Sequence, residues 1–133
     1  MTPKRIDQRL ADFERAFQRL EEALREDPAK SSAILDGTIQ RFEFTFELAW
    51  KLMKDFLQYN GVEAGSPRET IKAAYAASYI EDGEGWIQML EDRNKTSHLY
   101  DEKESAAIYK RIQTNYCKMF QALDKLIASK SRI

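Results

Sequence analysis

The stretch that most constrains the fold is Arg41 to Leu57, RFEFTFELAWKLMKDFL. Phe42, Phe44, Phe46, Leu48, Ala49, Trp50, Leu52, Met53, Phe56 and Leu57 recur through it for about four helical turns with no glycine or proline. Phe42-Phe44-Phe46 alternates as a strand does. The length of the pattern, and the row Glu43, Glu47, Lys51 at i, i+4 spacing, decide for a helix. Apolar residues cover more than one of its faces. Such a helix sits centrally, packed in its own bundle, and the surplus face is suited to a second subunit.

The rest of the chain is arranged around this helix by a few breakers, since five glycines and three prolines are spread over 133 residues. The first helix is expected from about Pro3 to Glu26, capped by Thr2 with Pro3 in its first turn, and stopped by Asp27-Pro28. Its apolar stripe is Ile6, Leu10, Phe13, Phe17, Leu20 and Leu24. The central helix runs from near Ser31-Ser32 to Tyr59, with Asn60-Gly61 as its stop. Ser66-Pro67-Arg68-Glu69 is a capping box opening a short helix to Ser78, with Ile71, Ala74, Tyr75 and Ser78 on one side. After Glu81–Gly85 a fourth helix turns Trp86, Met89 and Leu90 inward and ends near Arg93 or Asn94. Asp101, paired with Glu104, opens a last helix to about Ser129 with the seam Tyr109, Ile112, Tyr116, Met119, Leu123 and Leu126. The expectation is one all-α domain over residues 1–133, an antiparallel up-and-down bundle of three long and two short helices, four-helix-bundle-like.

Composition narrows the function classes. A net charge of −1 does not suit a general nucleic-acid coat, so any nucleic acid must bind locally. Cys117 and His98 are the only residues of their kinds, which removes disulfide frameworks and cysteine- or histidine-rich metal sites within one chain. No apolar run reaches the roughly 20 residues of a membrane span, the N-terminus lacks a signal-peptide core, and the cytoplasm is the expected location. The distal part of the last helix is basic (Lys110, Arg111, Lys118, Lys125, Lys130, Arg132 against Asp124). That is explained by the helix dipole or, more specifically, by contact with phosphates.

One stretch does not read as scaffold: Glu91-Asp92-Arg93-Asn94-Lys95-Thr96-Ser97-His98-Leu99-Tyr100-Asp101-Glu102. Arg93 is a fixed cation and His98 a group that exchanges a proton near neutral pH. On one continuous helix they stand about 140° apart, so they share a point only if the helix ends or loosens between them. Asn94–Ser97 forms helix weakly and Asp101 caps the next one, which places a break there. A neutral imidazole at His98 can deprotonate a ribose 2′-hydroxyl for attack on phosphorus, with Arg93 stabilising the phosphoryl charge and Asn94 donating a hydrogen bond. No metal or cofactor is required. One histidine cannot be base and leaving-group acid at once, and a symmetric homodimer supplies the second copy. The structural alternative pairs Arg93 with Asp92 or Asp101 and sets His98 across a helix junction. Glu43 and Glu47 can brace Arg93, or else face Lys51 and solvent. Charge around the motif is adverse to RNA: across residues 91–104, Arg93, Lys95 and Lys103 face Glu91, Asp92, Asp101, Glu102 and Glu104.

The run Arg93 to Tyr100 resembles the Arg, polar residue, three others, His, any, Tyr pattern of HEPN domains (higher eukaryotes and prokaryotes nucleotide-binding). With Gln40–Lys51 and Ser97–Glu102 beside it, the chain is similar over residues 5–127 to the nucleotidyltransferase substrate-binding protein family. The resemblance implies a helical bundle that dimerises and a complex with a minimal nucleotidyltransferase (MNT). It further implies metal-independent RNA cleavage by Arg93, Asn94 and His98, as in toxin–antitoxin pairs, silenced when the partner attaches AMP to Tyr100. The older family label implies instead a non-catalytic subunit that binds a nucleotide or substrate for the nucleotidyltransferase.

Overall fold

The computed structural model describes residues 3–98 and 101–131. Helices α1 (Lys4–Leu24) and α2 (Ser32–Tyr59) are joined by a single 3-10 turn, Pro28–Lys30. They run antiparallel, as cross-links of falling register show: Arg9 to Asp55 at 2.8 Å, the Thr45 hydroxyl to the Ala16 carbonyl at 3.2 Å, and Arg41 to the Arg19 carbonyl at 2.7 Å. α3 (Pro67–Ala76) and α4 (Gly83–Lys95) follow. The last rod is α5 (Glu102–Arg111), a π turn (Ile112–Tyr116) and α6 (Cys117–Ser131). The fold is all-α, and with that rod taken as one it has the expected three long and two short helices.

Local chemistry sets the ends. The Ser31 hydroxyl accepts from Ala33 N–H, the Ser66 hydroxyl from Glu69 N–H, the Asp82 carboxylate from Gly85 N–H and Asp101 from Lys103 N–H. Glu69 reaches back to Gly65 N–H at 3.3 Å, one residue earlier than a regular capping box. α2 stops at Gly61, whose φ of 86° lets Val62 N–H and Gly61 N–H bond to the carbonyls of Leu57 and Gln58.

Several boundaries and faces differ from expectation. Thr2 lies outside the described residues, and Pro3 stands at the N-cap position, one residue before the first turn. α3 ends at Ala76 because Ser78 takes the left-handed conformation, φ 65°, and closes the same double hydrogen bond through Tyr79 and Ala74. A serine is a weak stop signal, and glycine signals at 83 and 85 drew the boundary too late. Tyr75 is exposed, lying over Gly83, and Thr70 takes the inner position instead.

The last rod is not one regular helix. Its π turn holds an extra residue, and beyond it Phe120 and Ile127 are buried where Met119 and Leu126 were expected, while Leu123 is buried as expected. Phe120 then becomes the hub of the core, with ring centroids 5.9 Å from Phe13, 5.7 Å from Phe17, 6.3 Å from Phe42 and 5.8 Å from Trp86. Four helices meet on that one ring. Among the described residues no helix is long and apolar enough to cross a membrane.

Candidate functional site

The end of α4 divides its charges between two directions. Asp92 and Arg93 are adjacent, so they point about 100° apart. Arg93 faces outward onto α2: one Nη2–H donates to Glu47 Oε2 at 2.6 Å, and the guanidinium carbon lies 6.0 Å from the Phe46 ring centroid. The Glu47 carboxylate also accepts from Trp50 Nε1–H at 3.1 Å, and its other oxygen lies 3.2 Å from Lys51 Nζ. Partial burial pushes the Glu47 carboxyl upward. Hydrogen bonds from Trp50 and Lys51 and the charges of Arg93 and Lys51 outweigh it, so the net displacement is below the usual carboxylate value. Both Arg93 and Glu47 keep 30% of their side-chain surface exposed. Glu47, not Asp92 or Asp101, is therefore the partner of Arg93, and it meets Lys51 as well.

α4 tightens after Arg93 instead of opening out. Residues Thr96–His98 form a 3-10 turn, with the Thr96 hydroxyl bonded to the Arg93 carbonyl at 2.6 Å. Asn94 is exposed and its side-chain oxygen accepts from Arg93 at 3.4 Å. His98 is exposed and makes no hydrogen bond or ion pair with another described residue. The expected break is present, but Arg93 and His98 are not bonded to each other. Of five guanidinium N–H groups, Arg93 uses two on Glu47 and Asn94, which leaves three without an acceptor among the described residues. Tyr100 lies outside the described residues.

Asp92 turns inward, and this cluster was missed at the sequence level. It is 2% exposed and accepts from Arg111 Nε–H at 2.7 Å, from Arg111 Nη2–H at 2.9 Å and from the Tyr116 hydroxyl. Arg111 and Tyr116 are five residues apart, on different sides of a regular α-helix. The π turn between them adds a residue to the turn and brings both to one carboxylate. Burial raises the Tyr116 hydroxyl well above its usual range, and its bond to the Asp92 charge raises it further. Cys117, next in the rod, is likewise pushed up to about 12 by burial and by the Glu21 charge, and is no nucleophile near neutral pH. A surface recess of about 1000 Å³ between α3 and α4 is lined by Tyr75, Glu81, Asp82, Glu84 and Glu91 among others and includes none of Arg93, Asn94 and His98.

With that geometry in place, comparison with known proteins is informative. The family model described as nucleotidyltransferase substrate binding protein like matches residues 8–129. The Haemophilus influenzae protein named Probable ribonuclease HepT is 33% identical over 84 residues, 59% of this chain and 58% of that protein, so the match spans less than two thirds of the relative. A crystal structure from Thermus thermophilus superposes with a TM-score of 0.78 at 35% identity, covering 86% of this chain and 98% of that one. A Haemophilus influenzae structure, described as the fold of a substrate binding domain of a nucleotidyltransferase, gives 0.77 at 25% identity over 88% and 97%. The tri-AMPylated HEPN toxin of Shewanella oneidensis, solved in complex with its MNT antitoxin, shares the fold at a TM-score of 0.80 and 14% identity, over 96% and 99%.

Proposed function

Since this chain belongs to the nucleotidyltransferase substrate binding protein like family and has the HEPN fold, we propose that it is the HEPN-type member of a two-protein pair with a minimal nucleotidyltransferase. In that pair it acts as a metal-independent endoribonuclease toxin. The observation that carries the reading is Arg93, a partly exposed guanidinium fixed at one end by Glu47 with three N–H groups to spare, at the same helix end as an exposed imidazole.

Each residue has a distinct part. His98 takes the proton of a ribose 2′-hydroxyl; the oxygen attacks the adjacent phosphorus, and the 5′-oxygen leaves as a cyclic phosphate forms. Arg93 holds the non-bridging oxygens as their charge grows, and Asn94 adds a hydrogen bond. The leaving oxygen takes its proton from a second His98, supplied by a homodimer. Phe44, 61% exposed on α2 one turn before Glu47, is the kind of unpartnered aromatic that such a dimer covers. AMP attached to Tyr100 by the partner sets bulk and negative charge two residues from His98 and blocks the substrate phosphate.

The test is cleavage of RNA by the purified chain in EDTA. His98→Ala and Arg93→Ala each lower the rate by about 10²-fold or more while leaving the helical spectrum unchanged. No cleavage by the native chain, or equal cleavage by His98→Ala, refutes the catalytic role. One observation favours a second reading, a non-catalytic nucleotide-binding subunit: Glu47 already neutralises part of the Arg93 charge. That reading requires complex formation with the nucleotidyltransferase and no growth arrest on expression.

A further inference from the structure

The charge around the motif disfavours RNA, with three cations against five carboxylates over residues 91–104. The structure reverses that balance on the neighbouring helix. Glu47, Trp50, Lys51 and Lys54 stand at i, i+3, i+4 and i+7, one stripe of α2. They form a continuous chain of contacts starting at Arg93: Arg93 to Glu47 at 2.6 Å, Glu47 to Trp50 at 3.1 Å and to Lys51 at 3.2 Å, and Lys54 Nζ 5.9 Å from the Trp50 ring centroid. Counting Glu43, one turn before Glu47 on the same row, Arg93, Lys51 and Lys54 against Glu43 and Glu47 leave this stripe with an excess of one positive charge, and the cations lie at its Lys54 end. All of these side chains are partly exposed.

We infer that the stripe Trp50-Lys51-Lys54 is the bed on which single-stranded RNA lies as it leaves the phosphate held by Arg93. This rests on the ribonuclease reading for what happens at Arg93, but the bed itself is a binding site. Lys51 lies about 6 Å and Lys54 about 10.5 Å along the helix axis from Glu47, a spacing that lets each meet a successive phosphate of an extended strand. The Trp50 ring, now under Lys54, offers a face on which a base stacks when the ammonium swings to a phosphate. Beyond Lys54 the recess is lined by Glu63 and Glu69, which repel a backbone, so the bed ends after two phosphates. The basic end of α6 is a poorer candidate: Lys125 shares its surface with Glu14, Glu21 and Asp124, and the partners of Arg93 among the described residues lie on α2 and α4.

The experiment uses the full chain and a fluorescein-labelled 2′-O-methyl RNA strand, which lacks the attacking hydroxyl and cannot be cut. Anisotropy is read across a salt series. Lys51→Gln/Lys54→Gln is expected to weaken binding about tenfold or more and to flatten the dependence of log K on log salt by about 1.4, at about 0.7 per phosphate on a single strand. Lys54→Gln alone, which touches no carboxylate, gives about half of that slope change and guards against an effect through Glu47. Trp50 fluorescence falls as the strand binds; Trp86, buried in the core, stays constant. Equal binding by the double variant overturns the bed, as does an equal loss in Lys118→Gln/Lys125→Gln, and so does binding of AMP without binding of the strand. A strand that needs Lys51 and Lys54 but is never cut in its 2′-hydroxyl form supports the bed and refutes the catalytic reading. Cutting that ignores both lysines does the reverse.

Discussion

Asp92 and Arg93 are neighbours on one helix and end in opposite electrical circumstances. Asp92 is 2% exposed and receives three hydrogen bonds, two from Arg111 and one from Tyr116. Arg93 is 30% exposed and has more donors than acceptors. Asp92 anchors a pair spaced by five residues, and Arg93 is itself one of a pair with that spacing. Arg111 and Tyr116 are united by a π turn, whereas Arg93 and His98 are left unbonded across a 3-10 turn. The contrast separates scaffold from candidate chemistry. A charge whose bonds are all made inside the fold specifies the fold, and a charge held at one end with bonds to spare can recognise something else.

The comparison breaks first if Asp92 is removed. Asp92→Ala strands the Tyr116 hydroxyl in the core and leaves Arg111 without its partner, and should cost about 3 kcal/mol, the lower end for breaking a buried pair, since water still reaches part of Arg111. A denaturant titration with an unchanged m-value measures it; a loss below about 1 kcal/mol means that the cluster is not what holds α4 to the last rod. Tyr116→Phe is milder, about 1.5 kcal/mol for one hydrogen bond to a charged group. It also carries a pH signature. Burial and the Asp92 charge hold the Tyr116 proton in the folded state above the ordinary value of 10. The stability this gives is complete below pH 10 and drains away as pH rises past it. Stability of the native chain should therefore fall on the alkaline side more steeply than that of Tyr116→Phe.

Periodicity and capping residues were enough to read helix type and order, because α2, α3, α4 and α5 each begin at a side chain that bonds its own first turn, namely Ser31, Ser66, Asp82 and Asp101. What stayed hidden depends on backbone winding and on long-range pairing. The π turn has no residue signature in Ile112–Tyr116, yet it decides that Phe120 and not Met119 fills the core. Ser78 in the left-handed region could not be told from an ordinary serine. At the candidate site the end of α4 and the break after it were legible, but the partner of Arg93 was a choice among several carboxylates. Asp92 is nearest in sequence and points the wrong way; Glu47, 46 residues away, is the one that α2 delivers. Trp50 read as part of the apolar face and Lys51 as one of a charged row, and only the Arg93–Glu47 pair joins them to the end of α4.

The smallest expected effect gives the sharpest version of the contrast. Arg93→Ala removes the Glu47 ion pair, but both partners are 30% exposed, so the loss should be about 0.5 kcal/mol, within the range of surface pairs. Its conditions identify it. Glu47 titrates below its ordinary value near 4.5 in the folded chain, so its contribution is fully present above that pH and is lost as pH falls through the folded value. Native and Arg93→Ala melting temperatures should therefore converge in acid. They should also converge in 1 M salt, where the screening length is about 3 Å, while the gap between native and Asp92→Ala persists because Asp92 is buried. If salt closes both gaps alike, Asp92 is not sealed from water as its burial states. If it closes neither, Arg93 is bound as firmly as Arg111, and a phosphate arriving at the α4 end would find no guanidinium free to receive it.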